Sequence, residues 1–138
     1  MLLIPWESKF ELGINEIDEQ HKKMLSIINK LYALFEDKKQ DDQEELDKVI
    51  KEMADYAIYH FATEEKYFTM FGYEKMTAHV EVHNQYRAKI EDWRQRYNDT
   101  KDKTLFFEIS NFLQDWWTWH INVTDRDYVP FMKANNII

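Results

Sequence analysis

Residues 79 to 83 read HVEVH. Two histidines four apart on a helix lie about 40° from one another and one turn apart in height, so both imidazoles can grip one metal ion. Glu81, between them, sits about 200° round from His79, on the far side of such a helix. A zinc protease helix needs its glutamate directly after the first histidine, where it serves as general base. The spacing here offers ligands without that base, and Glu81 is expected to be solvated. His21, His60 and His120 complete a set of five histidines, and Glu64 follows His60 by one helical turn. Imidazole with carboxylate is a donor set for iron, manganese or zinc. The chain has no cysteine, which excludes disulfides, iron-sulfur clusters and thiolate-bound haem or zinc from within it.

These residues need elements to bring them together, and the hydrophobic pattern supplies four. Ile17, His21, Met24, Ile28, Leu31 and Phe35 alternate spacings of four and three along one helical face. Leu46, Ile50, Met53, Ala57, His60, Glu64, Tyr67 and Phe71 form a second stripe, and Met76, His79, His83, Tyr86, Ile90, Trp93 and Tyr97 a third. The fourth, Leu105, Ile109, Phe112, Trp116, His120 and Val123, is less regular. Polar or glycine-containing joints, EDKKQDDQ, FGYEK and RYNDTKDK, separate them, with Asp42 and Thr104 as candidate helix caps. The pattern predicts an all-α, antiparallel up-down-up-down four-helix bundle in one domain over 1–138, with helices at about 17–38, 42–71, 74–97 and 104–121. An extended N-terminal arm, 1–16, and an irregular C-terminal segment, 122–138, complete the expectation.

All five histidines and Glu64 fall on these core stripes. A bundle seam should carry aliphatic and aromatic residues, because burying a carboxylate or unpaired imidazoles costs several kcal/mol unless something compensates. A metal centre compensates. His21 is early on the first helix, His60 late on the second, His79 and His83 early on the third, and His120 late on the fourth. Antiparallel packing brings those levels to the same end.

Composition limits the remaining classes. A chain of 138 residues with 2 Gly, 2 Pro and 32% charged residues suits one helical domain. Its net charge of -8 argues against a nucleic-acid partner, which would need clustered Lys and Arg. The opening MLLIPWESKF has too short an apolar stretch for a signal peptide or anchor, and no later run reaches membrane-spanning length. A cytoplasmic monomer without membrane insertion is expected.

The stretches PWESKFELGINEIDEQHKKM, HFATEE, GYEKMTAHVEVH and WWTWHINVTDRDY resemble the hemerythrins, in particular the single-domain bacterial type called bacteriohemerythrin. The resemblance runs over nearly the whole chain, in order and at the family's spacings. It implies two non-haem iron ions, one bound by His79, His83 and His120 and the other by His21 and His60. Glu64, Asp125 and a solvent-derived oxo or hydroxo group would bridge them. Departures at Phe68, Glu74 and Arg126 fall outside these ligand positions. With about six donors per iron, the side with three imidazoles is filled and the side with two keeps one position free, where dioxygen would bind reversibly.

Asp125 then sets a geometric condition. Five residues beyond His120, it would lie about 140° away on an unbroken α-helix. The fourth helix is therefore expected to end or distort between Ile121 and Thr124, leaving Tyr128 and Pro130 in an irregular tail. Trp117 and Val123, each about one turn from His120, are candidates to line the dioxygen pocket, with Trp116 and Trp119 as core.

The leading function is thus reversible dioxygen binding for transport, storage or delivery to an oxygen-consuming enzyme, with no enzymatic turnover of its own. A di-iron oxidase, peroxidase or scavenger is the alternative, but ferritin-like sites use E-x-x-H motifs. No histidine here has a glutamate three residues before it, Asp18 before His21 being the nearest approach. An oxygen or redox sensor is the third class.

Overall fold

A computed structural model describes residues 2–37 and 43–138. Four long helices form an all-α bundle: α1 (Asn15–Glu36), α2 (Gln43–Phe71), α3 (Met76–Thr100) and α4 (Leu105–Trp119). Each packs on its neighbours in sequence, and α4 closes the square against α1. The antiparallel order is visible in the contacts. Gln43, at the start of α2, donates to the Tyr97 hydroxyl near the end of α3. The Trp93 indole, late on α3, donates to the Leu105 carbonyl at the start of α4.

The helix ends have local causes. α2 stops where Gly72 takes φ +72, and both Gly72 and Tyr73 N–H groups then bond the Phe68 carbonyl, a left-handed cap that glycine adopts without strain. Lys101 ends α3 in the left-handed region, its N–H on the Tyr97 carbonyl. Thr104 precedes α4 but makes no side-chain cap. Asp102 does that work instead, accepting from the Thr104 amide at 2.9 Å and hydroxyl at 2.7 Å. Asp42, the other expected cap, lies outside the described residues.

The arm is less extended than expected. It includes a 3-10 turn at Ser8–Phe10 and buries Ile4, Phe10, Leu12 and Ile14. Ile4 exchanges two hydrogen bonds with the Asn29 amide. The Leu12 and Gly13 N–H groups both donate to Asp18, at 2.8 and 3.0 Å, fixing the turn into α1. Arg126 donates to the Lys9 carbonyl at 2.6 Å, tying the far end of the chain to the same arm.

The largest correction concerns the C-terminal segment, which is helical. A π-helix (His120–Asp125) continues α4, followed by a 3-10 turn (Arg126–Tyr128) and α5 (Val129–Ala134). Pro130 lies in the first turn of α5, where its missing N–H costs nothing. The buried stripes also drift from the sequence pattern. Phe61 and Phe68 are buried on α2, while Tyr67 is half-buried and Phe71 exposed. On α4, Phe106, Leu113 and Trp117 take the core positions. Packing around a closed square draws on more than one strict 3.6-residue face.

Candidate metal centre

The apolar interior falls into two clusters. One holds Met24, Met53, Phe61, Trp93 and Trp117; the other holds Leu12, Ile17, Phe68, Tyr128 and Met132. Two of the polar residues lie between them in sequence: His21 between Ile17 and Met24, and Glu64 between Phe61 and Phe68. All seven expected ligands, His21, His60, Glu64, His79, His83, His120 and Asp125, are buried.

Their donor atoms form two overlapping groups, in each of which all atoms lie within 4.8 Å of one another. Glu64, His79, His83, His120 and Asp125 make one; His21, His60, Glu64 and Asp125 make the other. Asp125 divides its oxygens between them. Its Oδ1 faces His79 at 3.1 Å and His120 at 2.8 Å, and its Oδ2 faces His21 at 2.8 Å. Glu64 Oε1 lies 3.1 Å from His83 and 3.5 Å from His60.

The π-helix is what brings Asp125 here. Its hydrogen bonds reach the fifth residue rather than the fourth, so a side chain five positions on returns to nearly the same side. The expected distortion after His120 takes that form, without a break in the chain's helical course.

Close approach does not satisfy these atoms. Both Glu64 oxygens, Asp125 Oδ1 and the Nε2 atoms of His79, His83 and His120 are buried without a hydrogen-bond partner of acceptable geometry. Each such atom costs about 1–3 kcal/mol, and a cluster of them converging from three elements is a cost that bound cations would offset. Five imidazoles and two carboxylates fit iron in charge and donor type.

Electrostatics agree. Burial and the Asp125 charge push the Glu64 carboxyl up, but His60, His79 and His83 outweigh them and hold it well below the carboxylate range. Burial likewise opposes ionisation of Asp125, and His120, His21 and His60 overcome it. Burial presses the His79 imidazole down, yet the Asp125 and Glu64 carboxylates carry it up to about 10. His120 moves down, because burial dominates there.

A family model, the Hemerythrin HHE cation binding domain, matches residues 12–132. The chain belongs to the hemerythrin family. Bacteriohemerythrin of Clostridium acetobutylicum is 33% identical over 125 residues, covering 90% of this chain and 97% of that protein. Bacteriohemerythrin of Stenotrophomonas maltophilia is 29% identical over 98% of this chain and 85% of its own. A crystal structure of a hemerythrin variant superposes with a TM-score of 0.82 at 25% identity, covering 94% of this chain and 97% of that one. Hemerythrin membership and the buried His/Glu/Asp cluster together point to a non-haem iron site.

Around this hemerythrin cluster stand further residues, of which the sequence pattern had placed only Trp116 in the core beforehand. Phe61 stacks on the His83 ring, centroids 3.9 Å apart, and Trp116 on the His120 ring at 4.1 Å. Gln20 bonds His60, and Glu65 stands 3.9 Å from His83. The Tyr128 ring lies 5.6 Å from His79, and burial, then the Asp125 and Glu64 charges, push its hydroxyl far above the usual tyrosine range. Each flanks a ligand in sequence or lies a turn away, and that adjacency was the available signal. Of the pocket candidates, Trp117 is fully buried, 6.0 Å from the His60 ring, with its indole donating to the Tyr86 hydroxyl. Val123, the other candidate, is 45% exposed on the π-helix. Trp119, expected in the core, is 65% exposed. Glu81 is exposed.

Proposed function

We propose that the protein binds dioxygen reversibly at a di-iron centre and carries, stores or delivers it to an oxygen-consuming enzyme. The observation that supports this reading is the asymmetry of the donor set. His79, His83 and His120 would hold one iron, His21 and His60 the other, with Glu64 and Asp125 bridging both. With about six positions on each ion, the side of His21 and His60 is one protein donor short, and a diatomic ligand can enter there. Two ferrous ions would supply the electrons that bound dioxygen takes up and returns on release.

The protein's part is to hold that chemistry reversible. Both central carboxylates are committed to the metals. Burial, then the Asp125 and Glu64 charges, push the Tyr128 hydroxyl above the usual tyrosine range. Trp117 beside His60 and Phe61 beside His83 present apolar rings that exclude water. A dry site without a free acid or base favours binding over turnover.

The test is a visible titration of anaerobically iron-loaded protein, exposed to air and purged with argon. The expected result is a band that appears and fades over repeated cycles at two irons per chain. A single passage to a stable oxidised form, or continuous oxygen uptake with a reductant present, would favour an oxidase, peroxidase or sensor instead.

A further inference from the structure

His60 is backed by a chain of three hydrogen bonds that ends on main chain. Its Nδ1 lies 2.7 Å from Gln20 Oε1. Gln20 Nε2 donates to Thr63 Oγ1 at 3.1 Å, and Thr63 Oγ1 donates to the Tyr59 carbonyl at 3.1 Å. The side chains of Gln20, His60 and Thr63 are all buried.

The last link sets the direction of the others. The Thr63 hydroxyl donates to the Tyr59 carbonyl, and with its proton placed there it offers Gln20 only lone pairs. Gln20 must then turn its NH2 towards Thr63 and its oxygen towards His60. An amide's orientation is ordinarily ambiguous; here the Thr63 bond to the Tyr59 carbonyl favours one orientation. His60 must therefore carry its proton on Nδ1. Its Nε2, 3.1 Å from His21 Nε2 and 3.5 Å from Glu64 Oε1, is left with a bare lone pair aimed into the cluster.

Other ligands are backed differently. The Nδ1 atoms of His21 and His120 are buried without a hydrogen-bond partner. His83 Nδ1 faces Glu65 at 3.9 Å, and that carboxylate is engaged by Arg87 at 3.1 Å.

We infer that Gln20 and Thr63 are positioning residues that hold His60 in the Nδ1–H tautomer, its Nε2 ready for metal, before any ion arrives. The relay joins α1 to α2 and is anchored on the carbonyl of the same helix that carries His60. A neutral amide acceptor, in place of a carboxylate, also keeps His60 a weaker electron donor than an anion-backed imidazole would be. Assigning that consequence to the side with two imidazoles rests on the di-iron reading above; the tautomer does not.

The test uses metal-free protein with 15N-labelled histidine, read by two-bond proton–nitrogen correlation above the imidazole titration range. The wild type is expected to show His60 with Nδ1–H and bare Nε2. Thr63→Val keeps the shape but removes the hydroxyl, so the amide can turn and the tautomers should mix. Gln20→Leu should lose the preference, and Gln20→Glu, still an acceptor, should restore it. Zinc titration supplies a second readout. The affinity of one of two zinc equivalents should fall on the order of 10-fold in Thr63→Val and up to about 100-fold in Gln20→Leu, with recovery in Gln20→Glu. A wild-type Nε2–H tautomer, or an Nδ1–H tautomer unchanged in both Thr63→Val and Gln20→Leu, would overturn the inference. Uptake of a single zinc by the wild type would count against the di-iron reading and leave the tautomer result standing.

Discussion

His79 and Glu81 stand two residues apart on one helix, yet one is buried with its Nε2 3.1 Å from Asp125 and the other faces solvent. Their substitutions should separate cleanly. His79→Ala removes a donor from the three-imidazole group and should leave fewer than two irons per chain by metal analysis. Glu81→Gln should retain the wild-type content. Equal loss in both would contradict the assignment of HVEVH as a ligand pair. The five histidines and Glu64 were legible because they break an otherwise apolar seam; Asp125 entered only through the hemerythrin resemblance. Gln20, Thr63 and Phe61 were not, because a polar or aromatic residue beside a ligand has no distinguishing type or spacing until the neighbouring helix is in place.

At the scale of elements, the π-helix is the feature on which Asp125 depends. If it serves only to accommodate one extra residue, removing half-buried Asn122 should let the segment relax to α-helix. Asp125 would then stand four residues after His120 and still face the cluster. That deletion is expected to keep metal content near wild type. Exchanging Thr124 and Asp125 moves the carboxylate off that face and should lose at least one equivalent. Retention in the exchange, or loss in the deletion, would show that the π geometry matters for another reason. The need for a distortion followed from the five-residue spacing. Its form did not, since a break, a bulge and a π-turn all meet the same spacing condition. The helical tail beyond it was missed because Pro130 reads as a breaker in sequence, while in the fold it occupies a first turn that tolerates it.

For the molecule as a whole, the cluster of unpartnered buried atoms makes metal part of the folding energetics. A cation present at about 1,000 times its Kd stabilises by about 4 kcal/mol, which for a chain of this size is on the order of 10 °C in Tm. Calorimetry of iron-loaded and chelator-stripped protein should show that drop, reversed on reloading. Equal melting temperatures would mean that the cluster is satisfied by some other means. No helix among the described residues is long and apolar enough to cross a membrane.

The helical class, the approximate spans and six of the seven metal-cluster residues, the five histidines and Glu64, were determined by the sequence pattern itself, while Asp125 was implied only by the hemerythrin resemblance. Periodicity reports which side chains face inward, and costly residue types at inward positions report that something must compensate them. Only the tertiary structure decided how Asp125 divides its oxygens between the two groups, which aromatic rings wall them, and that Val123 and Trp119 turn outward. Those outcomes depend on distances between elements far apart in the chain and on the winding of one short segment, neither of which leaves a periodic trace.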